Sequence, residues 1–152
     1  MKIIAENKKA GFNYEIGEKF EAGIVLSGQE VKSLKTRSIS LAGTYVLAKP
    51  DGVFWIGASI PPYQPNNVSS MYDPQRTRKL LLNKSEMKYL IGKSSEKGLT
   101  FVPVRLYTKG RDGSGKIKLE FGVARGKKKY DKRESIKKRE VEREISRALS
   151  KI

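Results

Sequence analysis

The sequence predicts a mainly β fold: a small closed antiparallel β-barrel of about six strands, with two to three flanking helices and a basic C-terminal tail. Short stretches that alternate polar and apolar residues recur along the first 124 residues, and turn-forming residues separate them. Residues 125–152 differ, because they hold 12 Lys and Arg against five Asp and Glu and few apolar residues. A closed barrel is favoured because closure removes the exposed edges of short strands.

The clearest strand covers residues 116–123, in which every second residue is apolar and should face the core. Residues 99–107 form its predicted partner, and the glycine-rich segment 109–115 joins the two as a hairpin loop. Pro103 lacks a backbone N–H, so it should lie at an edge or a bulge.

Four further strands are predicted at residues 20–26, 44–48, 53–60 and 78–82. The Pro-Asp-Gly sequence at 50–52 predicts a tight turn between the second and third of these. Strand alternation places Leu81 on the opposite face from Leu80 and Leu82.

Capping-box spacing predicts two helix starts, at residues 27–30 and 83–86, each followed by an apolar stripe. Gly92 or Gly98 should end the second helix. The same spacing at residues 131–134 makes the tail a third helix candidate. This helix would be marginal in water, so we expect the tail to be disordered alone and helical when bound.

Charge and composition restrict the function. The net charge of +16 and the pI of about 10.0 favour a polyanionic partner, and nucleic acid is favoured over an anionic membrane because the tail lacks a broad apolar face. The chain has no Cys and no His, so disulfides, thiolate metal sites and histidine catalysis are excluded. No signal peptide or apolar span is visible, and we expect a cytoplasmic protein without cofactor or metal.

Several collinear motifs resemble the small protein B family, the SsrA-binding proteins of bacterial trans-translation. They cover almost the whole chain and lie at residues 5–10, 20–24, 28–34, 73–82, 124–128 and 130–133. The resemblance implies an OB-type barrel at residues 1–124 that binds the tRNA-like domain of transfer-messenger RNA (tmRNA). It also implies delivery of that RNA to stalled ribosomes, with the tail of residues 125–152 helical in the vacant mRNA channel.

The resemblance also implies site residues. Glu21, Leu81 and Lys118 match positions on the tmRNA-binding side of the barrel. Further RNA-binding candidates are Asn7, Lys8, Lys32, Arg78, Lys79, Arg125, Lys127 and Lys128. The decoding-centre segment of the tail would comprise Tyr130, Asp131, Lys132 and Arg133. The loop of residues 110–115 is longer than expected for the family, which leaves the role of its tip open.

Simpler interpretations stay open for individual residues. Lys118 could be an ordinary solvated lysine, Leu81 a core residue, and Glu21 a strand-edge residue paired with a lysine. Tyr130 could be a plain exposed tyrosine, and Asp131 could cap the tail helix. If these residues are exposed and face RNA, Lys118 would bind phosphate, and Leu81 and Tyr130 would stack on unpaired bases. Glu21 would accept a hydrogen bond from a base amino group or a 2′-hydroxyl.

Two other function classes compete with a tmRNA-binding adaptor. A ribosomal protein or ribosome-assembly module is the first, since small basic barrels with tails are common among them. A small nuclease is the second, but the acidic residues are scattered and show no metal-ligand spacing. We expect a monomer with tmRNA and the ribosome as partners; elongation factor Tu with alanyl-tmRNA is a further candidate, and the sequence leaves open whether it is contacted directly.

Overall fold

A computed structural model of the protein describes residues 1–67, 69–110, 115–126, 139 and 143. Within these residues the chain forms β-strands, three α-helices and a short 3-10 helix at Pro65–Asn67. The strands are β1 (Lys2–Glu6), β2 (Tyr14–Ile24), β3 (Tyr45–Lys49), β4 (Gly52–Ile56), β5 (Arg78–Leu81), β6 (Leu99–Thr108) and β7 (Ile117–Gly126). The α-helices are α1 (Ala10–Asn13), α2 (Gly28–Thr36) and α3 (Lys84–Lys93).

All described strands belong to one antiparallel sheet with the order β1-β6-β3-β4-β5-β2-β7. Because β6 also pairs with β7, β2 to β7 form a closed ring and β1 is added outside it. Long ladders join β7 to β2 and β6, whereas β3 and β6 meet at one registered pair, Val46 with Phe101. The β2–β5 and β4–β5 ladders are short as well, with two registered pairs each, so the predicted fold class is confirmed as a ring-like sheet and not an evenly paired barrel.

Alternation along the strands builds the core inside the ring. Leu119 and Phe121 of β7 are fully buried, whereas Lys118 and Glu120, which alternate with them, are partly exposed, as predicted. Trp55 of β4 is fully buried as well, and its indole N–H finds no hydrogen-bond partner among the described residues. The inner face is therefore mostly apolar, and the exposed side chains of the strands lie on the outer face.

The two predicted capping boxes are confirmed. Ser27 is the N-cap residue of α2 and Asn83 is the N-cap residue of α3. In both, the side chain of the glutamate three residues later accepts a hydrogen bond from the backbone N–H of the cap residue. α3 continues through Gly92 to Lys93, and Gly98, with φ of 82°, turns the chain into β6.

Two elements and two boundaries differ from the prediction. β1 and α1 were not predicted, and β2 begins at Tyr14, well before residue 20. β4 ends at Ile56 because Gly57 has φ of 88°, which breaks the extended backbone. The expected irregularity at Pro103 is confirmed as a bulge between Pro103 and Arg105, opposite β7.

Candidate nucleic-acid interface

Strand register brings Leu81 and Lys118 together on the outer face of the ring. Gly23 of β2 pairs with Leu81 of β5 on one side and with Lys118 of β7 on the other. A Cβ atom at Gly23 would lie 3.3 Å from Leu81 Cβ and 3.6 Å from Lys118 Nζ. The absent side chain at Gly23 therefore lets a leucine and a lysine converge from two strands. We call Glu21, Gly23, Leu81 and Lys118 the outer β2 face.

Leu81 is an exposed apolar residue within a run of leucines. Its side chain is 55% exposed, whereas Leu80 is 1% exposed and Leu82 packs partly against the core. The predicted orientation of Leu81, opposite to its neighbours, is confirmed, and core packing of Leu81 is excluded. An exposed leucine beside a lysine provides an apolar contact for a base or ribose and a charge for a phosphate.

Glu21 is held by two donors from β6 and the residue that follows it. The Tyr107 hydroxyl donates to Glu21 Oε2, and Lys109 Nζ lies 2.6 Å from Glu21 Oε1. Burial by itself raises the pKa of Glu21, but the hydrogen bonds from Lys109 and Tyr107 outweigh it, so that the pKa lies below its ordinary value of 4.5. Glu21 is therefore an oriented carboxylate that is ionised at neutral pH.

Tyr107 and Lys109 are functional candidates that the sequence interpretation missed. Tyr107 is 3% exposed, and both burial and the Glu21 carboxylate raise the pKa of its hydroxyl, which stays protonated as a donor. Its register opposite Lys118 in the β6–β7 ladder places it on this face. Counting that register back from the glycine-rich loop would have identified it.

A cleft of about 570 Å³ opens beside the outer β2 face, between α2 and the start of β7. Its lining includes the apolar Ile24, Leu26, Val31 and Leu81 together with Lys116 and Lys118. Apolar walls combined with cationic groups suit the ribose and base of a nucleotide whose phosphate stays in solvent.

Three other predicted contacts are exposed basic residues at different places. Lys79 lies on β5, two residues before Leu81, and so on the same face. Lys32 is exposed on α2, with its Nζ 5.9 Å from the ring centroid of Tyr63. Arg125 is exposed at the end of β7 and lies 4.0 Å from a Glu96 carboxylate oxygen. Their roles in RNA binding stay predictions.

Arg78 requires a correction, because it lies in the interior and cannot reach RNA from this position. Its side chain is 0% exposed, and its Nε donates to Glu30 Oε2 at 2.8 Å. The two terminal nitrogens donate to the carbonyls of Ala58, at 2.5 Å, and Pro74, at 2.9 Å. Arg78 therefore fixes the loop before β5 to α2, the helix that carries Lys32.

Glu30, the partner of Arg78, both caps the start of α2 and pairs with two arginines. As the third residue of α2 it accepts from the Ser27 backbone N–H, and Arg76 lies 2.5 Å from its Oε1. Burial alone raises the pKa of Glu30, but the donors from Ser27, Arg76 and Arg78 hold it below its ordinary value of 4.5. Glu30 and Arg78 are therefore buried charges that neutralise each other, and removing one would leave the other without its buried partner.

Asn7 and Lys8 lie apart from the outer β2 face. Asn7 is half-buried; its Nδ2 donates to the Pro103 carbonyl at 3.0 Å and its backbone N–H donates to Val104 at 2.9 Å, so it ties the end of β1 to the β6 bulge. Lys8 beside it is exposed. Since Pro103 lies four residues from Tyr107 along β6, the two places are separated by about 13 Å of strand.

Most of the predicted tail contacts fall outside the described residues. These are Lys127, Lys128, Tyr130, Asp131, Lys132 and Arg133, together with the predicted tail helix apart from Arg139 and Arg143, which are both helical. Arg139 is described, and its guanidinium lies 4.8 Å from the ring centroid of Phe12 in α1.

Within the described part of the chain, no group of three or more His, Cys, Asp or Glu residues could hold a metal ion. None of the described helices is long and apolar enough to cross a membrane. What the outer face does offer is an oriented carboxylate, an exposed leucine and several lysines, which is the chemistry of recognition by hydrogen bonds, apolar contact and charge.

Sequence comparison assigns the chain to a family. The model of the SmpB protein family matches residues 4–151. The SsrA-binding protein of Thermosipho africanus is 46% identical over 151 residues, covering 99% of both chains. Those of Magnetococcus marinus and Geobacillus kaustophilus are 47% and 48% identical over 148 residues, covering 97% of this chain and 95% and 92% of the relatives.

A solved structure agrees with these relatives. It is described as "tmRNA-SmpB: a journey to the center of the bacterial ribosome", and one of its chains is 39% identical to this protein with a TM-score of 0.65. The match covers 86% of this chain and 92% of the other. Both sequence and fold therefore lead to one conclusion: the chain belongs to the SmpB protein family.

Proposed function

We propose that this protein binds tmRNA through the outer β2 face and delivers it to stalled ribosomes for trans-translation. Relatives at 46–48% identity are SsrA-binding proteins, and the solved relative is described with tmRNA and the ribosome. The observation that carries the proposal is the convergence of Leu81 and Lys118 across the bare backbone of Gly23, beside the oriented carboxylate of Glu21.

Each residue of this face has a separate task. Lys118 binds phosphate, which adds affinity and salt dependence but no base preference. Leu81 packs on an unpaired base or a ribose. Glu21 cannot attract phosphate, but its oxygens keep lone pairs beyond those used by Tyr107 and Lys109, so it accepts from a base amino group or a 2′-hydroxyl. Such a contact would favour folded RNA of one shape over random polymer.

The tail has a different task in this proposal. Residues 1–124 form the RNA-binding domain, and residues 125–152 take helical form in the mRNA channel of the ribosome. A channel lined with RNA phosphates attracts a tail of 12 basic and five acidic residues, and mRNA in the channel would exclude it. Vacancy of the channel thereby becomes the signal for rescue.

The protein acts as an adaptor in the cytoplasm, where the ribosomes are, and not as an enzyme. The charges of the outer β2 face orient and attract RNA, and the chemistry of tagging belongs to the partners. Contact with elongation factor Tu carrying alanyl-tmRNA fits this role as a further step.

A salt titration tests the assigned role of Lys118. Lys118→Ala should weaken binding of the tRNA-like domain of tmRNA and lower the magnitude of the slope of log K against log [salt] by about 1, because one phosphate contact is lost. The measurement is a binding constant at several salt concentrations. Lys88→Ala is the matched control, since Lys88 is exposed on α3 and lies on no strand of the face. Equal slopes for wild type and Lys118→Ala would show that Lys118 does not contact phosphate.

A further inference from the structure

A second outer surface lies on β3, β4 and β5, around the ring from the outer β2 face. Phe54 of β4 pairs with Leu47 of β3 on one side and with Lys79 of β5 on the other. Lys49 pairs with Gly52 at the hairpin end, and Tyr45 lies on the same side of β3 as Lys49. We call Tyr45, Lys49, Phe54 and Lys79 the aromatic–lysine surface.

Two lysine side chains lie near the ring of Phe54. Lys49 Nζ is 5.9 Å from the Phe54 ring centroid. A Cβ atom at Gly52 would lie 3.4 Å from Phe54 Cζ and 3.5 Å from Lys79 Cε, so the ring and the lysine stem both lie against the bare backbone of Gly52. The Phe54 ring is thus close to the Lys49 ammonium group and shares the space over Gly52 with the Lys79 side chain.

This surface faces solvent and is separate from the core. Val53 and Trp55, the neighbours of Phe54 on β4, are both fully buried, whereas Phe54 itself is only partly buried on the opposite side of the strand. Tyr45 is 44% exposed, and Lys49 and Lys79 are exposed. Two aromatic residues here therefore contribute little to the interior of the ring.

We propose that the aromatic–lysine surface binds an unpaired base of an RNA strand. Phe54 stacks on the base, Tyr45 offers a second ring, and Lys49 and Lys79 bind the flanking phosphates. Asp51 is exposed in the turn beside Lys49, and the two lysines still leave the surface positive. This inference rests on the proposed function, in that the ligand is RNA.

Continuity with the outer β2 face supports RNA as the occupant. Lys79 and Leu81 are alternate residues of β5, about 7 Å apart on one side of the strand. One RNA molecule can therefore contact both surfaces. Protein–protein interfaces are depleted in lysine, so two lysines near the ring disfavour a protein partner. A nucleotide, in contrast, can stack its base on the ring and place its phosphates near both ammonium groups.

Two full-length variants test the proposal. Phe54→Leu keeps an apolar side chain but removes the ring, and should weaken RNA binding about fivefold or more. The double variant Lys49→Ala/Lys79→Ala should lower the magnitude of the log K against log [salt] slope by about 1.4–1.8. Lys88→Ala serves as the control for the loss of a lysine, and urea unfolding checks that each variant is folded.

The RNA probes distinguish two sources of the base. A transcript of the tRNA-like domain of tmRNA is one, and purified vacant ribosomes are the other. Weaker binding to the transcript assigns the surface to tmRNA, and weaker binding to ribosomes alone assigns it to ribosomal RNA. If the folded variants bind both the transcript and the ribosomes as tightly as wild type, the proposal is overturned, and Phe54 is only a partly buried surface residue. If the wild-type chain does not bind the transcript, the proposed function fails. Binding of the variants to vacant ribosomes would then still show whether the aromatic–lysine surface contacts RNA.

Discussion

Replacing Arg78 with methionine should lower the free energy of unfolding by about 3–5 kcal/mol, the cost of breaking a buried ion pair from one side. Methionine removes the guanidinium but keeps much of the side-chain length. Glu30 is 1% exposed and would keep a charge with Arg76 as its remaining basic partner, while the Ala58 and Pro74 carbonyls would lose their donors. Urea unfolding of wild type and variant measures the difference.

Arg105→Met is the matched control for this experiment. Arg105 pairs with Glu120 at 3.0 Å, but its side chain is 34% exposed, so its loss should lower the free energy of unfolding far less than the loss of Arg78. Adding Glu30→Gln to Arg78→Met should recover part of the stability, because the uncompensated charge disappears. Equal losses for Arg78→Met and Arg105→Met would contradict the assigned role of the buried cluster.

The pH dependence of the same pair provides an independent check. The pKa of Glu30 is held below its ordinary value of 4.5, so its pairing stabilises the folded state above that pH and is lost as the pH falls through the lowered pKa. The stability difference between wild type and Arg78→Met should therefore narrow in acid. A difference that stays constant would show that Glu30 does not titrate with the network.

Truncation after Lys129 should leave tmRNA affinity nearly unchanged and abolish tagging on stalled ribosomes. The truncated chain keeps the outer β2 face together with Arg125, Lys127 and Lys128, and it loses Tyr130, Asp131, Lys132 and Arg133 with the rest of the tail. The physical reason is the separation of tasks, in which the ring binds RNA and the tail recognises the vacant channel. Binding of the tRNA-like domain and peptide tagging in a reconstituted translation system measure the two.

Lys118→Ala in the full-length chain is the opposite control for the truncation. It should lose tmRNA affinity while its intact tail still enters the channel. Parallel loss of binding and tagging in the truncated chain would contradict a protein with two separable parts.

Much of the site could be predicted from local patterns. Alternation in the leucine run correctly separated Leu81 from Leu80 and Leu82, although only the structure shows that Leu81 is the exposed one, and capping-box spacing located α2 and α3. The missing N–H of Pro103 correctly indicated a bulge. These features depend on neighbouring residues alone, which is why a single sequence contains them.

The features that the sequence concealed depend on distant partners. Arg78 looked like a basic residue at the entry of a strand, and only the meeting of α2 with β5 shows that Glu30 neutralises it. The Tyr107 contact with Glu21 spans 86 residues of sequence and depends on β2 and β6 pairing with opposite edges of β7. β1 and α1 are short, and α1 has no side-chain cap, so neither carries a strong local signal.

Sequencing the RNA that co-purifies with the full-length protein from its own cells tests the central claim most directly. If the outer β2 face recognises the shape and the unpaired groups of one folded RNA, a single tmRNA species should dominate, and it should be depleted in the Lys118→Ala protein. Recovery of ribosomal RNA in fixed stoichiometry, or of many RNAs in proportion to their abundance, would contradict it.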